Sequence, residues 1–177
     1  QILSTRPDLL PPAYIRELAK LQDTVPPSPW DRVQALLEEE LKAPIGKIFA
    51  SFDPEPIAAA SLAQVHKATL PTGEKVVVKV QRPGIEDIIE KDLEILNELA
   101  YIARQTPLRE FYDPIEIVDE FSFTLRNELN YIREGLNAER FRENFRNEPF
   151  LHIPKIYWDY TTTKVLVMER LEGIKID

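Results

Sequence analysis

From Lys75 to Gln81 the chain reads KVVVKVQ, and in an extended backbone this puts Val76, Val78 and Val80 on one face and Val77, Lys79 and Gln81 on the other. The β-branched run predicts a strand with one packing face and one face that offers an ammonium group. Gln64 to Thr69 predicts the strand before it, joined through the turn composition Pro71-Thr72-Gly73-Glu74. Phe52 to Ala58 predicts a first strand, kept to an edge or an irregular start by Pro54 and Pro56. Ile156 to Tyr160 and Val165 to Met168, joined through Thr161-Thr162-Thr163, complete a five-stranded antiparallel sheet.

Elsewhere the apolar period is helical. Tyr14, Ile15, Leu18 and Leu21 follow Pro11 and Pro12 and are stopped by Pro26 and Pro27. A second helix takes Ser28 as its cap and Pro29 as its first residue, carries the stripe Trp30, Val33, Leu36, Leu37 and Leu41, and stops at Pro44. After Arg82-Pro83-Gly84, the recurrence of Ile85, Ile88, Ile89, Leu93, Leu96, Leu99, Ala100 and Ala103 predicts a helix to Gln105. The next start signal is Asp113 with Pro114 and Glu116, a capping box with aspartate for Ser/Thr, opening one long helix to about Arg146. Its predicted buried stripe is Val118, Phe121, Leu125, Leu129, Ile132 and Leu136, with a bend at Gly135, where glycine costs about 1 kcal/mol relative to alanine.

Together these elements predict an α+β chain, and its length and composition fit one ordinary domain, or one lobe plus an appendage, with a packed core: 177 residues, 44% of them apolar. A formal charge of −8 with scattered basic residues excludes a nucleic-acid-binding surface. With no cysteine there is no disulfide or thiolate metal site, and His66 and His152 are too far apart for a zinc pair, so each is expected to be a structural surface or strand residue. No run reaches the roughly 18 apolar residues of a membrane span. The chain starts at Gln1 rather than Met, so upstream sequence, with any targeting segment, is expected to lie outside it.

Candidate chemistry gathers around Lys79. The small side chains of Ala58, Ala59, Ala60, Ser61, Leu62 and Ala63 leave backbone N–H groups open to a phosphate, and the strand lysine follows at the spacing of a kinase phosphate loop and its lysine. A lysine on an edge strand is more often simply solvated. The string AAASLAQVHKA followed by VVVKVQRPG decides between these readings, because alanine in place of glycine in that loop resembles the UbiB (AarF-domain, ADCK) family of atypical protein-kinase-like proteins.

The resemblance covers nearly the whole chain. It implies a kinase-like N-terminal lobe at residues 48–177, comprising a five-stranded antiparallel sheet and a long C-type helix. It also implies a helical extension at 1–47 and a C-terminal lobe absent from these residues. ATP or ADP with Mg2+ would be the cofactor, held by Ala58, Ala59, Ala60 and Ser61, by Lys79 and its carboxylate partner Glu134, by Val77 against the adenine, and by a hinge at Met168-Glu169. Gln1 would be the last residue of the family's KxGQ motif, and Glu128 and Asn130 would fall on its ExD positions in the nucleotide cleft, with Asn130 departing from aspartate. On a straight helix Glu128 and Glu134 would lie roughly 120° apart, which implies two different roles.

No catalytic base or metal aspartate is found here, so no catalytic or metal-ligand residue is assigned and the region alone is expected to transfer no phosphate. For the complete protein the resemblance implies an ATP-dependent kinase or ATPase serving isoprenoid-quinone or other prenyl-lipid metabolism at the cytoplasmic side of a membrane, with prenyl lipid or the membrane surface as partners. The alternative is a non-catalytic, nucleotide-gated interaction or lipid-handling module.

Overall fold

The computed structural model describes residues 25–106 and 113–173; the helix expected near Leu18, and Gln1, lie outside them. In chain order the elements are α1 (Trp30–Leu41), α2 (Ile45–Ile48), β1 (Ser51–Phe52), β2 (Ala58–Ala59), β3 (Ala63–Thr69), β4 (Lys75–Gln81), α3 (Ile85–Ala103), α4 (Pro114–Glu128), α5 (Tyr131–Asn144), a 3-10 turn (Trp158–Tyr160) and β5 (Val165–Glu169). The strands form one antiparallel sheet in the order β1-β3-β4-β5, with β2 also on β3.

The expected five-stranded sheet is present, but two of its strands differ from the sequence reading. Phe52 to Ala58 is not one strand: β1 pairs with Ala68 and Thr69 at one end of β3, and β2 with Gln64 and Val65 towards the other. Asp53 N–H still reaches Lys67 O and Ile57 N–H reaches Val65 O, but Pro54 and Pro56 between them have no N–H to give the ladder. Ile156 to Tyr160 is also not a strand. It makes a single bridge, Ile156 to Met168, and then turns, which brings the Trp158 ring onto Gly135 of α5. A Cβ at Gly135 would lie 2.8 Å from that ring, so glycine is there for close approach and not for a bend.

Strand alternation divides the molecule into two layers. On the back face Val76, Val78, Val80, Val165 and Val167 are fully buried against Val33 and Leu37 of α1, with Ile45, Ile48 and Phe49 closing the end. Each such Val or Leu contributes about 1.5–3 kcal/mol by burial. Helix α1 begins one residue later than expected. Pro29 occupies the cap position, and the Ser28 amide is instead donated to the buried Gln64 Oε1 at 2.9 Å.

The front face carries α5. Beside it α3 and α4 form a helical hairpin around Ile85, Ile89, Leu93 and Leu129. Asp113 caps α4 by accepting from Ile115 N–H at 3.0 Å, as its sequence predicts. The single long helix is not formed, because α4 ends at Glu128 and α5 restarts at Tyr131. The expected stripes are only partly covered: Ile88, Leu99, Phe121 and Leu136 are exposed. Among the described residues no helix is long and apolar enough to cross a membrane, and there is no second, helical lobe.

Candidate functional site

Lys79 projects from the centre of β4 onto the front face, opposite to the three buried valines, as alternation requires. Its ammonium lies 2.8 and 2.7 Å from the two carboxylate oxygens of Glu134, on the first turn of α5. The expected pair therefore exists, with side chains 27% and 42% exposed, open enough for solvent to weaken its net contribution to stability. An ammonium has three N–H donors, so two bound to Glu134 leave a third for an incoming anion.

Tyr131, one turn before Glu134, lies beneath Lys79, with the ammonium 4.7 Å from the ring centroid. This adds a cation–π contact worth about 0.5–2 kcal/mol. Its phenol is buried and has no hydrogen-bond partner among the described residues. Burial first, then the carboxylates of Glu134 and Glu128, push its pKa above the tyrosine range, so the ring stays neutral. Sequence reading missed Tyr131, although its position three residues before Glu134 places both on one helix face.

The helix break changes the expected geometry of the acidic residues. Glu128 closes α4 and Glu134 lies in the first turn of α5, so both line one depression of about 300 Å³ with Lys79, Asn127, Arg133 and Asn137, despite their separation on a straight helix. Asn130 does not line it. Its side-chain oxygen caps α5 by accepting from Ile132 N–H at 3.1 Å, and it borders a separate depression of about 450 Å³ with Glu86, Glu90, Arg126 and Thr163. A cap accepts Asn as well as Asp, which accounts for the asparagine here.

The small-residue segment divides between the faces. Ala58, Val65, Lys79 and Leu166 form one cross-strand row, which places Ala58 about 10 Å from Lys79 at two strand spacings. Ala59 pairs with Gln64 and belongs to the back-face row of Val80. Ala60 N–H closes the turn on Ala63 O at 2.8 Å, which leaves the amides of Ser61 and Leu62 in the turn itself. Arg82 holds that turn from behind, donating to Ala60 O at 2.7 Å and to Pro26 O at 2.8 Å.

At the far end of the face Val77 and Met168 are cross-strand partners, both half-buried, and form an apolar step beside Lys79. Glu169 pairs with Val76, so its side chain leaves the front face. It accepts from Lys155 N–H at 3.2 Å and His152 Nε2 at 3.0 Å, and those bonds, the first above all, lower its pKa. Its own N–H is donated to Lys155 O, and that of Arg170 to Lys75 O, so the next amide along the expected hinge is that of Leu171.

Comparison with known proteins adds a family to this geometry. Residues 20–177 match the family described as ABC1 atypical kinase-like domain. The chain is 48% identical over 177 residues to a protein of Marinobacter nauticus named probable protein kinase UbiB, covering 99% of this chain and 32% of that one. It is 49% identical to an uncharacterised protein of Synechocystis, covering 99% of this chain and 30% of that protein. Among solved structures, that of Rv3197 of Mycobacterium tuberculosis in complex with erythromycin superposes with a TM-score of 0.72 at 29% identity, over 97% of this chain and 43% of that one. The chain thus spans about a third of the length of these curated relatives.

Proposed function

The chain belongs to the ABC1 atypical kinase-like domain family, and from that premise we propose that residues 48–177 form a nucleotide-binding lobe that takes ATP or ADP with Mg2+. The observation that carries this reading is the Lys79–Glu134 pair, assembled on the open face of the sheet with one ammonium donor unspent. In a phosphoryl-binding site that donor meets α/β-phosphate oxygens. The turn amides of Ser61 and Leu62 approach the phosphates from the hairpin side, and Val77 and Met168 offer an apolar seat for the base.

The charges around the depression support a metal-bound nucleotide over a bare one. Lys79 and Arg133 are balanced by Glu128 and Glu134. A polyphosphate alone would meet no net positive charge there, and Mg2+ supplies the missing neutralisation.

For the whole protein we propose an atypical kinase or ATPase that serves isoprenoid-quinone or other prenyl-lipid metabolism from a membrane surface. Support comes from the motif resemblance and from the UbiB name that several matched relatives carry. Calorimetric titration of the full-length protein with Mg-ADP tests the site. Lys79→Ala is expected to weaken binding at least tenfold, about 1.4 kcal/mol, and unchanged affinity would remove the proposal.

A further inference from the structure

Breaking a helix inside a packed lobe leaves backbone groups without helical partners, and a buried one left unpaired loses its hydration without recompense. The break at Leu129-Asn130 is buried, with Leu129 8% exposed and Tyr131 1% exposed. Three of these groups are met by specific partners. Ile132 N–H goes to the Asn130 side chain, and Tyr131 N–H to Thr163 O at 3.0 Å. Leu129 O accepts from the side-chain amide of Gln81, whose nitrogen also lies 3.4 Å from Thr163 O. Gln81 is 1% exposed and ends β4, two residues after Lys79 on the same face.

The spacing ties this anchor to the charged pair. Gln81 to Lys79 along the strand is about 6.8 Å, and Tyr131 to Glu134 along α5 is about 4.5 Å. Strand and helix are therefore joined at one end by Gln81 and, one side-chain reach away, by Lys79–Glu134. The N-terminal end of α5 cannot swing off the sheet without stripping Leu129 O of its donor.

We infer that Gln81 is a positioning residue: it holds the start of α5 on the sheet so that Glu134 meets Lys79 before any nucleotide arrives. This rests on the nucleotide reading only for its consequence in binding; the anchoring itself is separable. In the full-length protein without nucleotide, Gln81→Met fills the same space without a donor. It is expected to raise amide hydrogen exchange across residues 131–135 at least tenfold while β3 and β4 stay protected.

Mg-ADP affinity is then measured in a cycle. Q81M should weaken binding about tenfold with Glu134 present and have no further effect in the E134A background, because Gln81 acts through that carboxylate. Unaltered exchange, or an equal loss of affinity in both backgrounds, overturns the inference. A parent protein that binds no Mg-ADP sinks the nucleotide reading and leaves the exchange result to decide on Gln81. Should Q81M not fold, Gln81→Asn carries the same measurements, since its amide is one methylene too short for Leu129 O; parent-like exchange in a folded Q81N overturns the anchor.

Discussion

The two faces of one sheet, built from alternate residues of the same strands, are packed on opposite principles. The back face is filled by aliphatic and aromatic side chains, Trp30, Phe49, Phe52 and Tyr160 among them, with ring centroids 5.3–6.1 Å apart where they meet. Its polar groups form a closed chain. Gln64 Oε1 accepts from Ser28 N–H, so Gln64 Nε2 faces His66 and donates to Nε2 at 2.8 Å, while Nδ1–H of His66 donates to Asp53 O at 2.9 Å. The backbone amide of Ser28 thus sets the histidine tautomer. On the front face a half-covered charged pair lies beside an open depression, above a buried phenol that has no hydrogen-bond partner among the described residues. One layer supplies stability and leaves the other free to hold groups that stability alone would not select.

The largest test of that division is Leu37→Ala, which hollows the back layer. It should cost about 2–5 kcal/mol in chemical denaturation and leave Mg-ADP affinity unchanged wherever the protein is folded. Glu134→Ala should do the reverse, costing under about 1 kcal/mol of stability because the pair is partly exposed. A stability loss from E134A as large as that from L37A would erase the distinction between the faces.

The helix break gives an intermediate effect. Asn130→Ala removes a cap and should cost about 1 kcal/mol, while Asn130→Asp should match the parent or exceed it by a few tenths, since a carboxylate caps as well and faces the positive helix end. Thermal melts of the two variants separate capping from any demand for an amide at this position.

The smallest effect is pH-dependent and belongs to the back face. Burial lowers the pKa of His66 below its ordinary 6.5, against a smaller opposing effect of Asp53. The unfolded chain therefore binds the proton more readily. Stability from this residue is complete above that ordinary value and declines as pH falls below it. Comparing urea midpoints at about pH 7.5 and about pH 5.5 should show a drop in the parent that shrinks in His66→Phe; equal drops would remove His66 as the cause.

What could be read in advance follows from the range of the forces involved. The valine alternation and Lys79 are local, and the facing partner Glu134 is implied by the motif resemblance. The break at Leu129-Asn130 is not local. Glu128-Leu129-Asn130 has acceptable helix propensity, and the chain turns there because Gln81 and Thr163, distant in sequence, satisfy the freed groups. The apolar residues of Ile156 to Tyr160 suit a strand, but Trp158 finds a better place against the bare backbone of Gly135, and its indole N–H donates to Glu139 at 2.8 Å. Ser28 has the composition of a cap, but its amide goes to a buried glutamine instead.

Arg82 joins two parts of the molecule that differ in kind. Its planar guanidinium takes one carbonyl from the hairpin tip and another from Pro26, ahead of the first described helix. A rigid fork cannot turn towards one oxygen without leaving the other. A displacement of Pro26 would thereby be felt at Ala60, which ties the hairpin tip to the segment that opens α1.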